Sequence, residues 1–295
     1  MLKIDPKEVK TNVLHGYLLG AVAPRPIAFA STIDKDGNPN LSPFSFFNVF
    51  SAKPPIAVFS PAKSGRTGAN KHTFENMKEV PEVVINVVNY DLVQQASLTS
   101  TEYPKGTNEF LKAGLTPLAS ELIRPFRVKE SPVQMECKVR EIIELGSEGG
   151  AGNLVICEVV MMHIDEKVLD ENKLIDADKI DLVARMGGNW YCRASGNALF
   201  EIAKPLQTMG IGVDRIPSAV RNSKVLSGNN LGQLGNVEKL PSQEEISEYK
   251  AGLKDIFTAF AEDHSALENA IHQHASKLLK EGKVNEAWKT LLSLS

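Results

Sequence analysis

The chain has 295 residues, of which 42% are hydrophobic and 23% are charged, as in a globular protein with one large or two modest cores. Its formal net charge of −3 gives no electrostatic reason to expect nucleic acid or an anionic membrane as a partner. No apolar run approaches the length of a membrane span and the first ten residues lack the apolar core of a signal peptide, so we expect a cytoplasmic protein.

The three cysteines, Cys137, Cys157 and Cys192, are odd in number and widely spaced. They form neither a disulfide framework nor a CxxC pair for a metal or for redox exchange. We expect three reduced, mostly buried thiols.

The first part of the chain alternates short strands with short helices. Asp36-Gly37 favours a hairpin turn because Gly accepts a positive φ, and Pro54-Pro55 suits the start of a strand. The predicted elements are a helix over 7–23, strands over 27–33, 41–49 and 56–60, a helix over 67–80, a strand over 82–89, and helices over 91–101 and 107–114.

Two longer strands follow, over 133–145 and 153–164, separated by the glycine-rich run 146–152. The glycines do not indicate a dinucleotide fold, because a strand rather than a helix follows them and no βαβ unit surrounds them. We interpret them as a hairpin loop. Many short strands with hairpin-like turns predict a mainly β protein with helices, built on a closed or half-open antiparallel barrel.

Composition changes near residue 201. Residues 204–241 are rich in Gly, Pro, Asn and Ser and are interpreted as a connector. Ser242 and Glu245 form a capping box that opens a helix to about residue 260, and helices over 263–280 and 284–292 follow, with Trp288 on an apolar face. This helical extension could pack on the barrel, bind a partner subunit or cover a site, and the sequence does not choose among these roles.

Three histidines, His264, His272 and His274, lie on or beside the predicted helix 263–280. His272 and His274 are two residues apart and so point to different faces. No carboxylate or cysteine completes a set at metal-ligand spacing, and we therefore expect a surface helix rather than a metal site.

The stretch 38–73 carries the strongest candidate site. Gly65 and Gly68 would let a backbone approach an anion, while Ser64 and Thr67 could donate hydroxyls or cap the following helix. Arg66 and Lys71 add positive charge, although nothing here matches the P-loop GxxxxGK[ST]. An ordinary surface loop with solvated charges is the alternative interpretation.

A run of aromatic and hydroxyl residues precedes this loop. A ring-shaped cofactor needs an apolar wall and a few polar atoms that fix its edge. Phe44, Phe46 and Phe47 beside Ser42, Ser45 and Asn48 offer both, and core packing is the alternative for some of the phenylalanines.

The sequence resembles the flavin reductase-like, FMN-binding split-barrel family, which includes flavoredoxin-type proteins. The resemblance covers roughly residues 12–200. It is carried by the order and spacing of Pro24-Arg25-Pro26-Ile27-Ala28, Ser31-Thr32 with Asp36-Gly37, Asn40 to Phe47, Pro54-Pro55, Lys71-His72-Thr73 with Asn76, Asn86-Val87, Glu109-Phe110, Ala113-Gly114-Leu115, Glu136-Cys137-Lys138, Glu158-Val159-Val160 and Arg185-Met186-Gly187-Gly188 with Tyr191.

The resemblance implies a split barrel over 1–203, with the connector and helical extension over 204–295. It also implies an FMN site near the interface of a homodimer. The expected flavin and phosphate contacts are Arg25, Ser45, Phe46, Phe47, Asn48, Ser64, Arg66, Thr67, Lys71 and Thr73, with Arg185 and Tyr191 on the open side where a second substrate enters. The family usually has Asp at the position of His72, so no role of that Asp is transferred.

The expected function is an FMN-dependent oxidoreductase that takes hydride from NAD(P)H. Because no separate nicotinamide domain is predicted, the nicotinamide must stack directly on the flavin. Flavin chemistry needs positioning rather than a protein nucleophile, so no catalytic acid, base or nucleophile is assigned. The alternatives are an FMN-containing electron carrier that acts with a protein partner and a binding module whose flavin site has decayed. The retained Lys71 and the phenylalanine run argue against the last of these.

Overall fold

The structure is a computed structural model that describes residues 1–202, 204–206 and 208–294. The chain divides into two compact units, residues 1–200 and 201–295. The expected domain boundary at residue 203 lies outside the described residues.

The first unit is built on antiparallel strands. They are β1 (Ala28–Ile33), β2 (Pro39–Phe44), β3 (Phe47–Ala52), β4 (Pro55–Phe59), β5 (Glu82–Val87), β6 (Pro117–Leu118), β7 (Arg127–Val128), β8 (Val133–Glu144), β9 (Asn153–Ile164), β10 (Leu182–Arg185) and β11 (Tyr191–Ala194). Seven of them form one sheet in the order β2-β1-β5-β8-β9-β4-β3, while β6 pairs with β7 and β10 with β11. All the pairings are antiparallel.

The connection between the two edge strands requires this sheet to curl. Seven strands at normal spacing would span about 29 Å if the sheet were flat. Strands β2 and β3 lie at opposite edges, yet only Ser45 and Phe46 join them, and such a link reaches about 11 Å at most. The sheet therefore rolls into a barrel that stays open between β2 and β3, which is the split barrel that the sequence predicts.

Strand β1 is buried on both faces, which places it between two hydrophobic cores. Ala28 and Ala30 pack with the side chains of β4, β5, β8 and β9 in one core, and Phe29 packs in the other with Leu41 and Phe110. Small residues on one face and a large aromatic on the other let the strand fit between the two layers.

The helices of the first unit are short. They are α1 (Thr11–Ala21), α2 (His72–Glu79), α3 (Val93–Leu98), α4 (Glu109–Ala113) and α5 (Ala177–Ile180). The predicted helix over 67–80 begins five residues late, because residues 64–69 close into a turn of their own. The predicted strand over 41–49 is broken at Ser45-Phe46, where the chain passes from one sheet edge to the other.

Two of the three thiols lie in the barrel interior, as expected. Cys137 on β8 and Cys157 on β9 are fully buried, and Cys192 on β11 is half-buried. Burial raises the pKa of Cys137 to about 12 and raises the pKa of Cys157 as well, so both thiols stay protonated.

The second unit is helical. Its helices are α6 (Ser218–Arg221), α7 (Gly228–Gly235), α8 (Gln243–Lys250), α9 (Lys254–Ala259), α10 (His264–Lys280) and α11 (Val284–Leu292). The predicted capping box of Ser242 and Glu245 is confirmed, and so are the bounds of α11. The predicted single helix over 242–260 is instead divided into α8, a short 3₁₀ turn and α9. None of the helices in the described part of the chain is long and apolar enough to cross a membrane.

The segment interpreted as a connector supplies part of the core of this unit. Ile216, Val220 and Leu234 pack with residues of α10 and α11 around Trp288. The indole Nε1 of Trp288 donates to the carbonyl of Leu234 at 3.1 Å. Polar and glycine-rich composition concealed this core because its apolar residues are widely spaced along the chain.

The expectation that His272 lies on a surface helix is wrong. Its side chain is 2% exposed, and Nδ1 lies 2.8 Å from the hydroxyl of Ser223. Within the described residues, no group of three or more His, Cys, Asp and Glu side chains could hold a metal ion.

His163, at the end of β9, also has a local partner. Its Nε2 lies 2.7 Å from the fully buried carboxylate of Glu136 on β8. The same carboxylate accepts the backbone N–H groups of Glu121 and Leu122 at 2.8 and 2.7 Å. Burial opposes ionisation of Glu136, but these donors hold its pKa below its usual value, so the cluster fixes the loop before β7.

Candidate functional site

A polar groove of about 200 Å³ lies on the first unit, beside β2 and the start of α2. Most of its lining side chains carry a hydroxyl, an amide or a charge. They include Asn40, Ser42, Ser64, Thr67, Asn70, Lys71, His72, Thr73, Thr99, Ser100, Thr101, Glu102 and Glu109. Four of the residues predicted for a phosphate, Ser64, Thr67, Lys71 and Thr73, thus meet in one place.

The N-terminus of α2 opens into this groove. Lys71 is the N-cap and no side chain caps the helix, although the amides of residues 74 and 75 bond back to the carbonyl of Lys71. The amides before these two, those of His72 and Thr73, and the positive end of the helix dipole are available to an anion. The helix end that attracts anions is thus at Lys71-His72, rather than at the Ser64–Gly68 loop where the sequence pattern placed it.

The loop before α2 is held by its own hydrogen bonds. The amide of Ser64 donates to the carbonyl of Ala69, and that of Gly68 donates to the carbonyl of Ser64, both at 2.8 Å. The Ser64 hydroxyl accepts the amide of Thr67 at 3.3 Å, so Ser64 caps the turn and not the helix. Gly68 has a φ of +71°, which a side chain would strain.

The positive charges of the groove already have an acidic neighbour. The ammonium of Lys71 lies 3.1 Å from Glu102, and the guanidinium of Arg66 binds the same carboxylate. Arg66 is largely exposed and does not line the groove itself. It reaches the site only through Glu102.

His72 lines the groove between Lys71 and Thr73. Its pKa is lowered first by burial and then by the charges of Lys105 and Lys71. A neutral imidazole is therefore favoured at neutral pH.

Buried side chains form the floor of the groove. Thr73 is 1% exposed, and its hydroxyl accepts the amide N–H of Asn40 at 2.9 Å, which leaves the Thr73 proton free to donate. Glu109, in the first turn of α4, is 5% exposed and accepts the backbone N–H of Leu41 at 3.1 Å. Burial raises the pKa of Glu109, and the N–H groups of Leu41 and of Glu109 itself oppose that rise only in part.

We expect Glu109→Gln to stabilise the flavin-free protein above the ordinary carboxyl pKa of 4.5. A raised pKa means that the folded state holds the proton more tightly, so wild-type stability falls as pH rises through the window from 4.5 upward. Gln has the same shape, stays neutral and still accepts from Leu41. Thermal melts from pH 4 to pH 8 test this: the melting temperature of the variant should exceed that of wild type at pH 7 and converge with it near pH 4. The exposed Glu141→Gln is the control, and a Glu109→Gln variant that is less stable at pH 7 contradicts the prediction.

A second groove, of about 350 Å³, follows the polar groove along β2. We call it the mixed groove, since apolar walls alternate with polar groups. Its lining residues are Ile27, Pro43, Phe44, Ser45, Val93, Ala96, Ser97, Ser100, Arg185, Asn189 and Tyr191. Three predicted site residues, Ser45, Arg185 and Tyr191, meet here.

Arg185 and Tyr191 are paired across the β10–β11 hairpin. The Arg185 guanidinium stacks over the Tyr191 ring at 4.6 Å and donates to the carbonyl of Gly188 at 2.8 Å. These contacts hold a cation and an aromatic face together on one side of the mixed groove.

The two grooves are adjacent. Ser100 lines both, and β2 contributes Ser42 to the polar groove and Phe44 to the mixed groove. Their volumes together fall within the range of about 300–1,000 Å³ for small-molecule sites. The arrangement can hold an elongated ligand with an anionic group at one end and a flat ring at the other.

Arg25 lies outside both grooves. Its guanidinium donates to the carbonyls of Leu19 and Val22, both at 2.6 Å, and to that of Met186 at 2.8 Å. It therefore satisfies the end of α1 and ties it to the β10–β11 turn. Three of its five N–H donors are engaged in this way, and its buried Nε has no hydrogen-bond partner among the residues that the structure describes.

Three further predicted residues do not line either groove. Phe46 is 41% exposed and meets His15 edge-on at 6.1 Å, and Phe47 packs against the barrel interior. The exposed Asn48 accepts the amide of Val49. The roles predicted for these three residues stay predictions.

Sequence reasoning missed the opposite wall of the polar groove. Residues Thr99 to Glu102 follow α3, and Glu109 begins α4. The run Thr99-Ser100-Thr101, three hydroxyls at the end of the helix predicted over 91–101, was the available signal. Its position beside residues 64–73 depends on the sheet order, which local patterns do not reveal.

Comparison with known proteins identifies the family of the first unit. Residues 20–180 match the flavin reductase like domain, a segment that lies wholly in the first unit. An uncharacterized protein of Aquifex aeolicus is 34% identical over 196 residues, which are 66% of this chain and 97% of that protein.

Solved structures are similar as well. Component B of nitrilotriacetate monooxygenase from Bacillus cereus superposes with a TM-score of 0.64 and 31% identity over 68% of this chain and 98% of that chain. A putative flavin reductase with a split barrel domain from Shewanella frigidimarina gives a TM-score of 0.57 and 27% identity over 69% of this chain and 100% of that chain. Each match leaves about a third of this chain uncovered.

Proposed function

The chain belongs to the flavin reductase-like family, and from that premise we propose that it is an FMN-binding oxidoreductase that transfers hydride from NAD(P)H to flavin. One observation carries the proposal. The uncapped N-terminus of α2, Lys71 and several hydroxyls converge in the polar groove, which adjoins the mixed groove at Ser100. An FMN phosphate fits the first groove, and the ring fits the second.

Different residues of the two grooves contact the phosphate, the ribityl chain and the ring in this proposal. Lys71, Thr73 and the first amides of α2 hold the phosphate, with Ser64 and Thr67 closing its other side. Ser42 and Ser100, at the junction of the grooves, suit the hydroxyls of the ribityl chain. Phe44 and Tyr191 provide the walls beside the ring, and Ser45 offers a polar group at its edge.

The bound flavin supplies the redox chemistry by accepting a hydride from the nicotinamide. This chain positions the two rings and excludes water, which are the contributions that proximity and orientation require. Arg185, held on Tyr191 at the rim of the mixed groove, supplies a cation for the phosphates of the incoming nucleotide.

The proposal includes a homodimer. Helix α1 buries none of its residues, and the edge strand β3 leaves Val49 and Phe50 57% and 69% exposed. His15 of α1 contacts Phe46, the residue immediately before β3, so the helix lies beside this strand. Together they form one apolar surface with an unpaired sheet edge. A second copy of the chain suits such a surface, because an exposed apolar edge is otherwise prone to aggregation. A cytoplasmic location is part of the proposal too, since free thiols are typical of reducing compartments.

An anaerobic absorbance titration tests the reaction. FMN is added to the purified protein, then NADH, and in a second sample NADPH. A shifted flavin band that one nucleotide bleaches over many turnovers supports the oxidoreductase and identifies its donor. Bound FMN that neither nucleotide reduces favours the electron carrier instead, and an unshifted band contradicts flavin binding altogether.

A further inference from the structure

Glu102 stands at the cationic end of the polar groove. It follows α3 in the segment that carries Thr99, Ser100 and Thr101 into the groove. Its carboxylate contacts Lys71 at 3.1 Å and also binds Arg66. One acidic side chain therefore neutralises both cations that the loop before α2 brings to this region.

The position of Glu102 along the groove follows from its neighbours. Ser100 lines both grooves, whereas Glu102 and Tyr103 line only the polar groove. Glu102 therefore lines the polar groove away from its junction with the mixed groove at Ser100. The hydrogen bond from Lys71, and then the charges of Lys71 and Arg66, lower the pKa of Glu102, so it is ionised at neutral pH.

We propose that Glu102 determines flavin specificity by admitting a ligand that ends in one phosphate and disfavouring a ligand that continues into a second. This inference rests on the proposed function, because it takes the polar groove as the phosphate site. FMN ends at the phosphate that Lys71 and α2 would hold. FAD carries a second phosphate and an adenosine beyond it, and these must pass the Glu102 carboxylate.

The two flavins place their negative charge differently, since FMN carries it on one phosphate whereas FAD carries one charge on each of two linked phosphates. The FMN phosphate competes with Glu102 for Lys71, so Glu102 costs FMN some affinity. On the proposed path the second phosphate of FAD would pass closer to Glu102 than the first, and like charges at short range repel most strongly. Riboflavin has no phosphate and is indifferent to Glu102.

The test is Glu102→Gln, which keeps the size of the side chain and removes its charge. Glu141→Gln, an exposed glutamate on β8 outside both grooves, is the matched control because it changes net charge equally. Dissociation constants for riboflavin, FMN and FAD are measured by calorimetry with the full chain at about 50 and 500 mM salt, which screens exposed charges weakly and strongly.

In Glu102→Gln we expect FMN to bind about 3-fold tighter, FAD about 10-fold tighter and riboflavin within about 2-fold of wild type, given the modest strength of exposed ion pairs. The gain should shrink at high salt, and the control should match wild type. Equal factors for FMN and FAD, or an equal change for riboflavin, would overturn the specificity role while leaving the proposed function intact. Wild-type protein that binds no flavin would overturn both.

Discussion

Lys71→Ala is expected to weaken FMN binding by about 10–100-fold, because a hydrogen bond to a charged group contributes about 1.5–3 kcal/mol. Lys71 is the charged residue that both lines the polar groove and precedes the uncapped α2. Quenching of flavin fluorescence on titration with protein measures the affinity. Riboflavin, titrated in parallel, should bind the variant as it binds wild type, since it lacks the phosphate.

Lys78→Ala is the matched control. Lys78 lies on the same helix, but it is exposed and pairs with Glu144 at 3.3 Å, away from the groove. The two variants remove the same charge from α2 and its N-cap, so a general electrostatic effect would weaken FMN binding in both.

A smaller loss of about 2–10-fold is expected for Thr67→Ala, which removes a neutral donor. Unchanged FMN affinity in both Lys71→Ala and Thr67→Ala would contradict the phosphate site.

Strand patterns predicted most of the fold because burial and local pattern agree there. The run at 82–89 is rich in β-branched residues and forms β5. This strand lies inside the sheet between β1 and β8, where its side chains are mostly buried. The strand predicted over 153–164 matches β9 to the residue. Gly114 ends α4 as predicted, with a φ of +65° that suits glycine.

The wrong prediction for His272 depends on a partner distant in sequence. His272 is buried because Ser223 and the second-unit core close around it, and nothing near His272 in the sequence indicates this. Arg25 is a different case: its guanidinium donates to the nearby carbonyls of Leu19 and Val22 and to that of Met186, and its predicted contact with a phosphate stays a prediction. A sequence motif shows which residue types are present, whereas the hydrogen-bond partners of each residue depend on the fold.

The candidate site likewise contains residues that the sequence could identify and residues that it could not. Lys71 and Thr73 were identified because they lie in one local motif. Glu102 and Glu109 were not, since the segment after α3 reaches the groove only when β1 and β2 pair and α4 packs on β2. The acidic wall of the groove is therefore a tertiary property, and it is the wall on which the specificity proposal depends.

Trp288→Ala is expected to unfold the second unit while the first keeps its fold and its flavin affinity. The Trp288 side chain is 1% exposed at the centre of a core, and its loss would also leave the carbonyl of Leu234 without the indole N–H. Replacing a buried Trp with Ala costs about 3–5 kcal/mol. A domain is stable by only about 5–15 kcal/mol, so the loss is a large fraction of the stability of a small helical unit.

Circular dichroism at 222 nm follows the helices, and an FMN titration follows the groove. The matched control is Trp190→Ala, which removes the other tryptophan, 75% exposed and in the first unit. It should leave the helical melt unchanged, and in that background the fluorescence of Trp288 reports the second unit alone. Because all the groove residues belong to residues 27–191, FMN affinity should survive Trp288→Ala. A Trp288→Ala variant with an unaltered melt would contradict the helical core, and one that loses helix and flavin together would mean that the barrel needs the helical unit to hold its cofactor.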